Sequence, residues 1–200
     1  MADAGKPGRP NQKSRTRKDL LRAAARLMQA GQSPTLEEVA AEAMVSRATA
    51  YRYFPGVEAL LTEAALDVAM PDAETLFAGD DGAAEPLDRL LRADAAVAEM
   101  VRANEPALRA MLVHSLQQGL GGASVPVRQN RRTPLIEAAV APARATLSPW
   151  VHDRLVKALA LVIGTESMLA FKDVLGLPDD EAGAVRRWMI RALFEAARRA

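Results

Sequence analysis

The residues best suited to chemistry in this 200-residue chain stand close together, between positions 46 and 53. Six of these eight residues carry a hydroxyl group or a guanidinium, and they are Ser46, Arg47, Thr49, Tyr51, Arg52 and Tyr53. Side chains of this kind hydrogen-bond to phosphate oxygens and to the edges of bases. The segment is therefore suited to recognising a polar, anionic surface.

Two short helices are predicted to position this segment. Thr35 and Glu38 have the spacing of a capping box, which predicts a helix from Leu36. Ser46 is a good N-cap for the next helix, over 47–53. That helix ends before Pro55, because a residue that precedes proline avoids the α region. A capped support helix followed by a short basic helix is typical of a helix-turn-helix.

The rest of the chain also has helical periodicity, and no segment has the alternation of a strand. In residues 15–30 apolar side chains recur every three or four positions, and Gly31 stands where a C′ glycine is expected. We predict an all-α fold of about nine helices, with a linker over 71–84 and a continuous eighth helix from Pro149 to about Leu175.

The helix-turn-helix segment also resembles a known family. Thr35-Leu36-Glu37-Glu38-Val39-Ala40, followed by Val45-Ser46-Arg47-Ala48-Thr49-Ala50-Tyr51-Arg52-Tyr53-Phe54-Pro55, resembles the DNA-binding domain of the TetR family of bacterial transcriptional repressors. The likeness covers about 17–66. The later part of the chain resembles the family only in outline, at Ile163-Gly164-Thr165-Glu166 and at Trp188.

The resemblance implies a role for each residue of the segment. Arg47 is placed for a bidentate contact to guanine, which is worth roughly 1–3 kcal/mol of discrimination. Ala48 and Tyr51 are implied to meet bases or thymine methyl groups, and Arg52 a base or the backbone. Thr35, Thr49 and Tyr53 are expected to donate to phosphate. The full expected DNA-binding set is Arg9, Arg17, Thr35, Ser46, Arg47, Ala48, Thr49, Tyr51, Arg52 and Tyr53. Tyr51 as a core aromatic and Arg52 as a solvated charge are the alternatives.

The chain departs from the family pattern at two positions. Met44 stands in the turn where the family usually has glycine, and a positive φ there costs a non-glycine residue about 1 kcal/mol. Val57 stands where the family usually has a lysine that touches phosphate. A helix N-terminus can still bind phosphate through its amides.

Residues 1–14 are predicted to form a disordered basic arm, since they hold too few apolar residues to pack. Lys6-Pro7-Gly8-Arg9-Pro10 resembles half of an AT-hook core, in which an arginine lies in the minor groove. A solvated tail that binds DNA weakly is the alternative. Residues 15–56 are then the helix-turn-helix domain.

Residues 57–200 are expected to form a helical effector-binding and dimerisation domain. A palindromic DNA site requires a two-fold dimer. The interface expected for the homodimer comprises Leu159, Ile163, Gly164, Ser167, Phe171, Trp188, Met189, Ala192, Leu193 and Ala196. The resemblance also implies a pocket for a small apolar or amphipathic effector, with the candidates Met100, Met111, His114, Ser115, Gln118, Trp150, Glu166 and Met168. Residues buried within the monomer core are the alternative for both sets.

Composition excludes several other classes. The net charge of +1 is a sum of +5 over residues 1–56 and −4 over residues 57–200, which places the polyanion-binding character at one end. With no cysteine, disulfides and thiolate metal sites are excluded, and we expect a cytoplasmic protein. No apolar run approaches the length of a membrane span. We expect no cofactor, metal or catalytic residue.

The leading hypothesis is a homodimeric repressor that binds a palindromic operator in double-stranded DNA and is released by an effector. An architectural DNA-binding protein without an effector is the alternative. A small helical enzyme is a third possibility, but its candidate acids (Glu105, Glu137, Glu166 and Asp173) are scattered over separate helices.

Overall fold

The computed structural model describes residues 10–80, 84–120 and 128–200. Arg9 and most of the predicted arm lie outside these ranges. All regular secondary structure among the described residues is helical, with no strand among them. The α-helices are α1 (Pro10–Gln29), α2 (Leu36–Glu42), α3 (Arg47–Tyr53), α4 (Val57–Ala69), α5 (Ala73–Leu76), α6 (Pro86–Ala103), α7 (Glu105–Leu120), α8 (Arg132–Val140), α9 (Pro149–Val162), α10 (Thr165–Leu169) and α11 (Asp179–Arg198). The all-α prediction is confirmed.

The chain divides into two units, and the first draws on the stretches Met1–Ala69 and Pro106–Gln129. Its core packs α1 to α4 around two aromatic side chains, Tyr53 and Phe54, that are almost fully buried. The apolar stripe predicted on α1 supplies Leu20, Leu21 and Ala24 to this core. Burying such side chains is the main source of stability, at about 1.5–3 kcal/mol for each large one.

Two helices of the first unit end in a left-handed residue. Gly31 has a φ of 77°, as predicted for a C′ glycine after α1. Met44, after α2, has a φ of 54°, the positive value expected at this turn. The amide of Met44 donates to the carbonyl of Ala41, and the amide of Val45 donates to that of Ala40. This pair of hydrogen bonds is a Schellman motif, and it sets the direction in which the chain enters α3.

The second unit draws on Met70–Glu105 and Asn130–Ala200. Its core joins apolar faces of α6, α8, α9 and α11, and the fully buried side chains include Leu90, Ile136, Leu159, Ile163 and Ile190. A buried ion pair crosses it, with Nε of Arg186 donating to Asp94 at 3.0 Å. Burial raises the pKa of Asp94, and the attraction of Arg186 opposes that rise.

The predicted eighth helix is not continuous. It ends at Val162, Gly164 is extended, and the chain resumes as α10 and a π-helical turn over Ala170–Val174. Arg132 of α8 lies across Gly164, so closely that a Cβ there would clash with its guanidinium. The same guanidinium donates to the carbonyl of Ala160 at 2.9 Å, which satisfies an acceptor that the broken helix leaves open.

Two other predicted boundaries move. Helix α1 begins at Pro10, within the segment predicted to be a disordered arm, rather than at residue 15. The predicted linker over 71–84 contains α5, a single turn that Asp72 caps through the amide of Thr75 at 2.8 Å.

Among the helices in the described ranges, none is long and apolar enough to cross a membrane. In the same ranges, no group of three or more His, Asp or Glu side chains is arranged to hold a metal ion.

Candidate DNA-binding surface

The support helix α2 begins with the predicted capping box. The hydroxyl of Thr35 accepts from the amide of Glu38 at 3.3 Å, and the carboxylate of Glu38 accepts from the amide of Thr35 at 2.7 Å. The backbone hydrogen bond from Thr35, followed by the bond from its hydroxyl, lowers the pKa of Glu38. The carboxylate therefore stays ionised near the positive end of the helix dipole.

The recognition helix α3 is capped by Ser46, whose hydroxyl accepts from the amide of Thr49 at 3.2 Å. The hydroxyls of Ser46 and Thr49 also lie 2.8 Å apart, within hydrogen-bond distance. The predicted N-cap is thus confirmed. Both hydroxyls take part in this cap. Ser46 is exposed and Thr49 is half-buried.

The outer face of α3 exposes Arg47, Ala48, Tyr51 and Arg52. The guanidinium of Arg47 lies 5.6 Å from the centre of the Tyr51 ring, close enough for a cation–π contact. Tyr51 is not a core aromatic, since 44% of its surface is exposed. The structure therefore exposes two guanidinium groups and a phenol on one short helix, with Arg47 in contact with Tyr51 and Arg52 beside the ring of Tyr53.

Glu37 of α2 contacts the same face, and the sequence analysis did not identify it as a site residue. Its Oε1 forms an ion pair with Nε of Arg47 at 2.8 Å. The same oxygen accepts a hydrogen bond from the hydroxyl of Tyr51 at 3.1 Å. Position 37 is too far in sequence from positions 47 and 51 for periodicity to pair it with them, so only the helix-turn-helix geometry shows the contact.

Burial corrects one predicted DNA contact, that of Arg17. The ring of Tyr53 lies in the core, since this residue is only 2% exposed, and its contact to phosphate stays a prediction. Arg17 is also 2% exposed, and its Nη2 donates to Oε2 of Glu63 at 2.5 Å. Arg17 was predicted as part of a basic arm, whereas its position on the buried face of α1 decides its role.

The buried pair of Arg17 and Glu63 connects several parts of the first unit. Nη1 of Arg17 donates to the carbonyl of Tyr53, the last residue of α3, at 3.0 Å. Its guanidinium also lies 4.3 Å from the centre of the Phe54 ring. Glu63 on α4 accepts from the amide of Gln129 at 3.3 Å. One ion pair thus joins the carboxyl end of the recognition helix to α1, α4 and the segment beyond α7.

Three of the predicted pocket residues lie together in the first unit. Met111, His114 and Ser115 of α7 line a cavity of about 160 Å³. Arg17, Phe54, Pro55, Glu58, Ala59, Thr62, Glu63 and Ala110 complete its lining. The cavity therefore borders the buried ion pair directly.

The other predicted pocket residues do not join this cavity. Met168 lines a separate cavity of about 80 Å³ in the second unit, and Met100 is half-buried on α6. Trp150 is exposed beneath the guanidinium of Arg154, 3.8 Å from its ring centre. Glu166 is paired with Arg132 at 2.6 Å. Gln118 lies on α7, but its side chain is outside the described part of the structure. The prediction that all eight candidate residues line one pocket is thus corrected.

The predicted dimer residues divide into buried and exposed groups. Leu159 and Ile163 are fully buried within the protomer and Gly164 is covered by Arg132, which corrects their assignment to an exposed interface. Ser167 and Phe171 are half-buried. On α11, Trp188, Ala192 and Ala196 are exposed, and Met189 and Leu193 are half-buried beside them.

The exposed, capped helix α3 behind the capped support helix α2 defines a helix-turn-helix DNA-binding protein. Residues 20–64 match the family model described as bacterial regulatory proteins, tetR family. This match supports a DNA-binding transcriptional regulator of the tetR family, and it covers α2, α3 and parts of α1 and α4. No curated protein and no solved structure matches the chain significantly.

Proposed function

We propose that this regulator is a homodimeric repressor that reads a palindromic operator with α3 and is released by a small-molecule effector. The observation that carries the proposal is the exposed face of α3, where Arg47, Tyr51 and Arg52 stand together. Arg47 is assigned to a guanine edge in the major groove, and Tyr51 to a neighbouring base. Helix α3 fits that groove in size, since it spans only Arg47–Tyr53.

The experiment that tests DNA reading is selection of binding sites from random duplexes. Wild type is expected to enrich one palindrome. Arg47→Ala is expected to relax a guanine preference by about 1–3 kcal/mol. Arg198→Ala is the matched control, because Arg198 is also exposed and paired with a glutamate but lies on α11. Equal enrichment of unrelated A·T-rich duplexes would instead favour the architectural alternative.

The apolar face of α11 supports the dimer. Trp188 is 69% exposed, and Ala192 and Ala196 continue its face at four-residue spacing. Exposed apolar patches of this kind mark interaction sites. A two-fold axis through this face would pair it with itself and repeat α3 for the second half-site.

Native mass spectrometry at micromolar concentration tests the dimer. Wild type is expected at twice the chain mass, and Trp188→Glu is expected at the chain mass. Leu116→Glu on α7 is the matched control, since Leu116 is also 69% exposed but lies in the other unit. A wild type that is monomeric under these conditions contradicts the dimer.

For the effector, we propose the cavity beside Arg17 and Glu63. Its volume of about 160 Å³ is close to that of a cavity that admits benzene, so a small amphipathic molecule or one group of a larger one would fit. Met111 and Phe54 offer apolar contact, and the ion pair and Ser115 offer polar contact. An occupant that competes for Arg17 would weaken the hydrogen bond from Arg17 to the carbonyl of Tyr53. It would thereby shift the equilibrium between orientations of α3.

Ser115→Leu tests the effector site by filling the cavity. Operator affinity is expected to be unchanged, while any molecule that co-purifies with wild type is expected to be lost in the native mass spectrum. Met168→Leu, in a separate cavity of the second unit, is the matched control. Retention of that molecule by Ser115→Leu would place the effector elsewhere.

A further inference from the structure

Glu37 stands out on the DNA-binding surface because it is an acidic side chain among groups suited to binding anions. One of its oxygens is shared between Nε of Arg47 at 2.8 Å and the hydroxyl of Tyr51 at 3.1 Å. Its side chain is 41% exposed and that of Arg47 is 71% exposed. The three groups therefore form a connected set on the open face of the helix-turn-helix.

The contact leaves particular atoms of Arg47 for a ligand. The ion pair uses Nε, the nitrogen nearest the aliphatic stem. No hydrogen bond joins its two terminal nitrogens to another residue in the part of the chain that the structure describes. A guanine offers O6 and N7 side by side, and two guanidinium nitrogens can meet both at once.

The contact also orients Tyr51. Because its hydroxyl donates to Glu37, the hydroxyl oxygen is left as an acceptor toward the groove. Phosphate oxygens only accept, whereas adenine N6 and cytosine N4 donate. Tyr51 held in this way is matched to a base edge and not to the sugar-phosphate backbone.

We infer that Glu37 is a positioning residue that determines specificity: its carboxylate holds Arg47 and Tyr51 in the orientation that reads bases. This inference rests on the proposed function, in which α3 lies in the major groove. An exposed arginine otherwise samples many rotamers and binds any phosphate within reach. Glu37 favours the one arrangement that suits a base edge, and its charge disfavours close approach of phosphates.

The chain offers a matched control in Glu42, which lies on the same helix. Its side chain is 40% exposed and it forms an ion pair at 2.8 Å, but its partner is Arg26 of α1. Glu37→Ala and Glu42→Ala therefore remove the same charge, the same helix-surface area and one exposed ion pair each. Only the first releases residues of the recognition helix.

The experiment measures the affinity of the full-length variants for the selected palindrome and for a scrambled duplex at one salt concentration. Glu37→Ala is expected to lower the ratio of these affinities about tenfold, since two side chains lose their preorganisation. Glu42→Ala is expected to leave the ratio within about twofold of wild type, because rim charges act alike on all duplexes. In a background of Arg47→Ala with Tyr51→Phe, adding Glu37→Ala is expected to lower the ratio no further.

Each outcome decides the inference. An unchanged ratio in Glu37→Ala, an equal fall in Glu42→Ala, or a further fall in the Arg47→Ala and Tyr51→Phe background overturns it. If wild type selects no sharp site, the proposed function fails and this inference fails with it; a sharp wild-type site with an unaffected Glu37→Ala removes this inference alone. Should Glu37→Ala not fold by circular dichroism, Glu37→Leu carries the same test, because leucine is close to glutamate in size and has no acceptor oxygen.

Discussion

Replacing Met44 with glycine tests how the turn of the helix-turn-helix is held. Met44 has a φ of 54°, a region that favours glycine. Its side chain is 93% exposed, so truncation removes almost no packing. Both hydrogen bonds of the turn come from backbone amides, those of Met44 and Val45, and glycine keeps them.

The expected gain follows from two opposing terms. A left-handed conformation costs a residue with a side chain about 1–2 kcal/mol. Glycine removes this cost, but it lowers the free energy of unfolding by about 0.5–1 kcal/mol because it makes the unfolded chain more flexible. Met44→Gly is therefore expected to raise the free energy of unfolding by about 0.5–1 kcal/mol, a rise in Tm of about 1–4 °C.

Urea unfolding followed by circular dichroism measures this change, with Gly31→Ala as the mirror experiment. Gly31 has a φ of 77° and no atom within 4 Å of the position of an added Cβ, so the substitution strains only the backbone. Gly31→Ala is expected to lose about 1 kcal/mol. If Met44→Gly proves neutral or destabilising while Gly31→Ala is destabilising, then strain at Met44 is not the governing term.

Two further substitutions test the charged groups of the first unit. Glu63→Gln is expected to cost about 3–5 kcal/mol in urea unfolding, because it removes the carboxylate that pairs with the buried Arg17. Glu42→Gln, at an exposed ion pair, is expected to cost less than about 1 kcal/mol, and equal losses would contradict the role of burial. The pKa of Glu38 is lowered from 4.5 by the bonds from Thr35, so its contribution to stability is present above that pH and is lost as pH falls through the lower folded value. Glu38→Gln is accordingly expected to lose less stability than wild type as the pH falls below 4.5, and parallel pH profiles would refute this.

The local elements of the helix-turn-helix could be predicted from the sequence because they depend on neighbouring residues. The capping box of Thr35 and Glu38 and the N-cap at Ser46 each involve atoms within a few positions, whereas the positive φ of Met44 was implied only by the family resemblance. Short-range hydrogen bonds and backbone sterics set these features, whatever the rest of the chain does.

The burial of Arg17 and Glu63 had a signal in the sequence that residue type concealed. Arg17 stands three residues before Leu20, on the buried stripe of α1, and Glu63 stands three residues after Leu60 on that of α4. Opposite charges on two buried stripes predict an ion pair, since neither charge is tolerated there alone. An inward-facing arginine next to a DNA-binding segment is thus better judged by its helix face than by its charge.

The break in the predicted eighth helix could not be foreseen, because the side chain that contacts it is distant in sequence. Arg132 lies over Gly164 and bonds to Ala160, more than twenty residues away. The cavities depend in the same way on how helices pack. This explains why the predicted pocket residues do not lie in a single cavity.

The first unit is built from two stretches that are separate in sequence, and this affects how it folds during synthesis. The ribosome releases α3 early, but Gln129, whose amide bonds to Glu63, is added only after the intervening stretch of the second unit. Co-translational folding of the first unit therefore cannot be complete until that insertion has emerged. A fragment that stops at Ala69 would keep Arg47 and Tyr51 but lack the wall of the cavity that Met111 supplies. Exchanging the first unit between regulators would accordingly require both of its stretches, Met1–Ala69 and Pro106–Gln129, to be replaced together.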